Sequence, residues 1–309
     1  MTNEQIIELL KATIDTSGGG ISEPQDAEAF IDLTRDQTAV LREVRVETGI
    51  RTALNLHTIN LSEPVMVAAA EGAEPAAADV VSASRSPTTL TPVEVLCAFD
   101  VSFEFLRRNI AGQRINEQLN QLFAKRFGKD IVYTMFMGDT SLAATSRTNK
   151  ALRVLDGLVK QAEADANVHD YTIPASPSYV SQVFPGMVAA LPKDYRDSRD
   201  ELRFFVSADV YDAYASEIGS RATAQGDLIL LGPWTTNLSY KGIQLMPVFG
   251  LSNDRVVLTL DENVAIGFGQ EMTVGKDIDN RSRLLKVTIT AAWDVGYAES
   301  DALVLGATA

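Results

Sequence analysis

From about Gly112 to Met137 the apolar residues recur in steps of three and four: Ile115, Leu119, Leu122, Phe123, Phe127, Ile131, Met135 and Phe136. Arg114, Glu117, Gln118, Gln121, Lys125 and Lys129 fill much of the other side. This spacing predicts one amphipathic helix over 112–137, roughly 35–40 Å long at about 1.5 Å per residue. Its interior glycine, Gly128, costs about 1 kcal/mol relative to alanine. A helix with a single apolar face needs a sheet or a neighbour along its whole length.

The period is different on either side of that helix. Val93, Val95, Cys97, Phe99 and Val101 alternate with other residues, which predicts a strand over 92–102. The segments ALNLHTINL and PVMVAAA are strand-like, and 71–91 between them and that strand is rich in Ala, Ser, Thr and Pro. Residues 45–100 therefore read as a long two-stranded excursion with a loose tip. An isolated hairpin of this kind is marginal in water and needs a partner surface. Residues 3–13 predict a short helix, with Asn3 as N-cap. The triple glycine and proline of 17–29 break it into an arm that cannot build a core alone.

After the long helix, Gly138 fits a C′ cap and Asp139 a turn. A shorter helix is expected over 177–192, started or kinked by Pro185. A charge-rich loop follows at 193–202 and a buried strand at 203–207, with Ser207 capping a helix over 208–221. The rest reads mainly as β: DLILL, GIQLMPVF, RVVLTLD, VAIGFG, and an alternating run over 283–299.

Composition narrows the function. The formal charge of −14 argues against a surface built to grip phosphates, although a container for nucleic acid must also avoid adhering to its contents. No apolar run reaches the 18 or so residues that cross a bilayer, and the acidic amphipathic start lacks the form of a secretory signal. Cytoplasmic synthesis is the expectation.

Cys97 stands alone, so neither an intrachain disulfide nor a thiolate metal site is expected. His57 and His169 have no catalytic frame around them. The glycines of GFGQEM (267–272) lack the third glycine of a dinucleotide loop, and a turn between strands is the better reading. Asp194, Asp197, Asp200 and Glu201 alternate with Lys193, Arg196, Arg199 and Arg203, which reads as a self-neutralised loop rather than a metal cage. No catalytic, cofactor-binding or metal-binding residue is assigned, and no cofactor is expected. An arm, a protruding hairpin and a long helix without a site describe surfaces meant for copies of the same chain.

The order of segments resembles the HK97-like major capsid proteins of tailed bacteriophages, and within them the shorter P2-like type. TTLTPVEVLCAFDVSFEFLRRN (88–109) is similar to the return strand of that family's extended loop, with Ser102, Glu104 and Leu106 at its marked places. The long helix follows directly, and then MGDT (137–140). AAAEGAEP (68–75), FFVSADVYDAYASEIGSRATAQGDLIL (204–230) and LLKVTITAAWDVGYAESDALVLG (284–306) are similar to that family's loop segment with a Glu-Gly pair, the segment entering the axial domain and the final strand of the peripheral domain.

The resemblance implies an α+β fold with an N-arm (1–38), an E-loop region (39–98), a peripheral domain (99–150 and 283–309, spine helix 112–137) and an axial domain (151–282). It implies pentamers and hexamers closing an icosahedral head around double-stranded DNA, with no enzyme activity. Portal, scaffolding and decoration proteins are the implied partners, with no membrane, and the virion is the implied location. Some relatives weld their shells through a lysine in the E-loop. No lysine lies between Lys11 and Lys125, so a noncovalent shell is expected. Because the arm begins near residue 1, either scaffolding is a separate protein or the chain is already trimmed, and Met1 favours the former. Two alternatives stay open: an encapsulin-like nanocompartment, and a soluble α/β enzyme with an unrecognised site.

Overall fold

The computed structural model describes residues 34, 38–60, 66, 84–104, 115–220, 238–269 and 273–308. The expected N-terminal helix, nearly all of the arm, the loop segment 68–75 and the strand DLILL lie outside these residues.

In chain order the elements begin with α1 (Ala39–Glu43), β1 (Arg45–Ile50), β2 (Leu54–Asn60), β3 (Ser84–Leu90) and β4 (Val93–Ser102). The long helix α2 (Ile115–Met137) follows, then α3 (Arg147–Leu152), α4 (Leu158–Ala164) and β5 (His169–Ile173). A π-turn at Tyr179–Val183 runs into α5 (Phe184–Ala190), then α6 (Lys193–Arg196), β6 (Leu202–Val206) and α7 (Ala208–Gly219). The remainder is β7 (Ser239–Tyr240), β8 (Ile243–Pro247), β9 (Arg255–Leu260), β10 (Val264–Gly269), β11 (Thr273–Asp279), β12 (Leu284–Tyr297) and β13 (Leu303–Thr308).

The first sheet is built on β12. β4 pairs antiparallel with it from Ser102↔Leu284 to Val93↔Trp293. β10 and β11 pair with it on the other side, and β1 adds to β10 in parallel. Odd-numbered residues of β12, from Ile289 to Tyr297, join the core beneath α2, and the even-numbered ones face away. α2 lays its predicted stripe on that inner face. Ile131, Met135 and Phe136 are fully buried, Phe127 meets Trp293 edge-on at 5.6 Å, and Phe123 stacks on Phe99.

The second sheet has the order β5-β13-β9-β6-β8-β7. The end of α2 and α4 cover one face, where Phe136 lies 5.2 Å from Phe205. The π-turn, α5 and α7 cover the other, centred on Phe184 among Phe204, Tyr214 and Tyr240. Burial on both sides explains why RFFV, RVVLTL and LVLG read as unbroken apolar runs. Local signals placed several ends correctly. The Ser207 hydroxyl accepts the Val210 N–H at 3.2 Å, and Pro185 sits in the first turn of α5.

The sheets cut across the expected segment boundaries. β10 and β11, expected in the axial part, pair with β12 beside the spine helix. β13, expected in the peripheral part, pairs with β5 and β9. Alternation along a strand gives its faces but not its neighbours. The excursion 45–100 also narrows, because β1 and β4 belong to the first sheet and only β2 and β3 form a separate two-stranded hairpin. Gly138 does not take the left-handed conformation of a C′ glycine. Its role is close approach: its N–H reaches Thr134 at 2.8 Å, its carbonyl accepts from Gly157 at 2.9 Å, and a Cβ would strike the Leu155 carbonyl.

Candidate assembly surfaces

The hairpin springs from the face of the first sheet that α2 does not cover. Leu56 and Leu90 at its base are buried with Ile50 against Ala265. They sit in a notch made by glycines. A Cβ on Gly267 would stand 2.5 Å from Ile50 Cδ1 and 3.0 Å from Leu90 Cδ1, and one on Gly296 would stand 3.0 Å from Leu90 Cδ2. Gly267 of the GFG run therefore helps seat the hairpin, while Gly269 lies against Ala292 at the end of β10, before β11 resumes along β12.

Asp294 lies in the same face, paired across the sheet with Gly267. Its carboxylate accepts the Thr91 N–H at 2.7 Å and the Val295 N–H at 2.8 Å. Burial pushes this carboxyl above the usual aspartate range, against the opposing effect of those hydrogen bonds. Beside the hairpin base a cleft of about 580 Å³ opens, lined by Arg51, Pro92, Glu94, Gly269, Thr290 and Ala292.

Large apolar side chains are exposed at Met66, Val93, Leu96 and Phe249. Met66 is 95% exposed and lies between the two hairpin strands in the chain; Leu96, 65% exposed, is on the uncovered face of β4. The outer edge of β4 carries no strand among the described residues. Phe249 projects beside α2, with the Tyr133 ring 6.1 Å away and the Lys129 ammonium 5.2 Å from its own ring. Gly250, at φ +79°, lets that loop pass over the Tyr133 ring, where a side chain would collide.

The residues weighed for chemistry have structural surroundings. Cys97 is half-buried toward α2, and burial, with the Asp130 charge, pushes its thiol up. His169 lies on β5 with Nε2 buried and without a hydrogen-bond partner; His57 lies on β2. The loop 193–202 is only partly a loop, since 193–196 form α6. Its arginines bind carbonyls rather than their acidic neighbours: Arg196 reaches Leu191 and Ala189 at 2.6 Å each, and Arg199 reaches Lys241. Arg203 faces Glu43 at 3.4 Å and Asp261 at 3.3 Å, tying α1 to the second sheet. Among the described residues no group of three or more His, Cys, Asp or Glu is placed to hold a metal, and no helix is long and apolar enough to cross a membrane.

No protein-family model matches the chain. It is 26% identical to the "Putative prophage capsid protein YqbE" of Bacillus subtilis (strain 168), over 98% of this chain and 97% of that one. Its fold matches a chain of the satellite phage P4 procapsid that includes the size determination protein, with TM-score 0.70 and 13% identity over 100% of this chain and 98% of that one. The chain has the HK97-like fold of these phage capsid structures. The same fold is shared with the capsid of an empty GTA particle, at TM-score 0.57 and 14% identity over 88% of this chain and 90% of that one. A virus-like particle from Pyrococcus furiosus matches at TM-score 0.53 and 9% identity, over 90% and 96% of the two chains. Sequence reasoning found the hairpin and the spine helix. It missed the glycine notch and Asp294, whose roles depend on pairings some 200 residues apart in the chain.

Proposed function

We propose that this chain is the major head subunit of a tailed phage or prophage, joining into pentamers and hexamers that close an icosahedral shell around double-stranded DNA. The observation that carries this reading is the hairpin: among the described residues its strands pair only with each other, its base is buried on the first sheet, and the almost wholly exposed Met66 lies between them in the chain. Such a two-stranded element gains stability by lying on a neighbouring subunit. Many modest contacts of this kind act together in a closed shell.

In this reading the peripheral unit is the first sheet with α2, and the axial unit is the second sheet with α5 and α7. Residues 54–90 are the E-loop and 1–38 the N-arm. The subunit works by tiling and not by catalysis. It is made in the host cytoplasm, assembles with portal and scaffolding proteins, and ends in the virion. The formal charge of −14 limits adhesion of packaged DNA to the shell wall. Expression of the full chain with and without its scaffolding partner, followed by negative-stain microscopy, tests this. Closed shells support it, and a monodisperse monomer in both conditions overturns it. Nuclease-protected DNA in shells from phage-producing cells separates a head from a compartment that encloses protein cargo.

A further inference from the structure

The hairpin base has two kinds of hold on the body. The apolar one, Leu56 and Leu90 with Ile50 on Ala265, is non-directional and would tolerate a tilt of the hairpin in its glycine notch. The polar one is directional. Thr91 is the residue between the end of β3 and Pro92, and its N–H points at Asp294 Oδ2 at 2.7 Å. The second oxygen of that carboxylate is anchored by the Val295 N–H at 2.8 Å, within the central strand of the first sheet. Both oxygens are thus committed, one to the frame and one to the point where the hairpin rejoins it.

We propose that Asp294 is a positioning residue for assembly: its carboxylate fixes the direction in which the 54–90 hairpin leaves the sheet, and so whether the hairpin meets a neighbouring subunit. This rests on the reading of the chain as a shell subunit, but the bond itself acts within one chain. A carboxylate half-buried in a sheet contributes little to the stability of the body, because removing it from water costs free energy that the two hydrogen bonds offset. Its effect at this spot is on direction rather than on stability. A charge-assisted bond of this type shifts a two-state orientation by about tenfold or more.

The test uses the full chain in two variants that break the bond from opposite ends. Asp294→Ala removes the acceptor, and Thr91→Pro removes the donor without touching the sheet. Spin labels at Asn60→Cys and Lys150→Cys, with Cys97→Ser, report the hairpin-to-body distance in unassembled subunits by pulsed electron resonance. The expected result is a single narrow distance for the parent chain and a broad or displaced distribution for each variant. Melting temperatures should stay within about 2 °C of the parent. Shell yield should fall about tenfold, and the double variant should be no worse than either single one. Unchanged distances in both variants overturn the proposal, whatever happens to the shells. Displaced distances together with a parent chain that never forms shells would leave the hold in place and remove the shell reading instead. If Asp294→Ala does not fold, Thr91→Pro alone decides, since its strand pairing is untouched.

Discussion

Gly128 shows how a residue's local cost can be reversed by its neighbours. By helix propensity alone, Gly128→Ala should stabilise α2 by about 1 kcal/mol. In the folded chain a Cβ there would collide with the Thr38 hydroxyl and stand 3.2 Å from Thr34 Cγ2. The substitution is therefore expected to lower stability by about 1–3 kcal/mol, read as a lower thermal midpoint. Asp165 supplies a pH prediction. The Ser300 hydroxyl, then the Asn167 N–H and the Tyr297 hydroxyl, hold its carboxyl below the usual range. A depressed folded pKa contributes stability that is present above the unfolded value of about 3.9 and is lost as pH falls through the folded value. Ser300→Ala should reduce that contribution and move the acid-unfolding midpoint to higher pH, checked by circular dichroism between neutral pH and about pH 2. Neither effect is legible in sequence: the glycine has the look of a defect, and Asp165 that of an ordinary loop acid.

Elements were read from the sequence in proportion to how local their signals are. The spine helix was expected over 112–137 and is described over Ile115–Met137. The strand expected over 283–299 spans Leu284–Tyr297. Both have long, unambiguous periods. The notch for the hairpin was not legible, because Gly267 and Gly296 acquire their meaning only when β10 and β12 pair beneath Leu90. That notch gives an element-scale prediction. Gly267→Val places a side chain against Ile50 and Leu90, so the hairpin base must lift while the core beneath α2 is untouched. Shell formation should be lost, with only a modest fall in subunit stability of about 1–2 kcal/mol, measured by sedimentation and by urea unfolding of the same preparation.

At the scale of the whole molecule, the resemblance in segment order pointed to the architecture, while the two sheets had to be seen to be assigned. Each gathers strands from distant parts of the chain, as β1 pairs with β10 and β5 with β13. The hairpin carries no lysine that could weld subunits. Boiled shells are thus expected to run as a single band of 33.5 kDa on a denaturing gel, and a ladder of multiples would contradict a noncovalent shell.

The placement of β13 reaches back to the chain's synthesis. Residues 303–308 lie between β5 and β9, and β5 has no other strand partner among the described residues. A nascent chain must therefore carry β5 unmatched from residue 173 until residue 308 has left the ribosome. The second sheet is completed in one late step, so a half-made subunit still tethered to the ribosome has no finished body to offer a growing shell. Ribosome-stalled chains halted before residue 300 should accordingly be digested by protease at β5, while released chains resist.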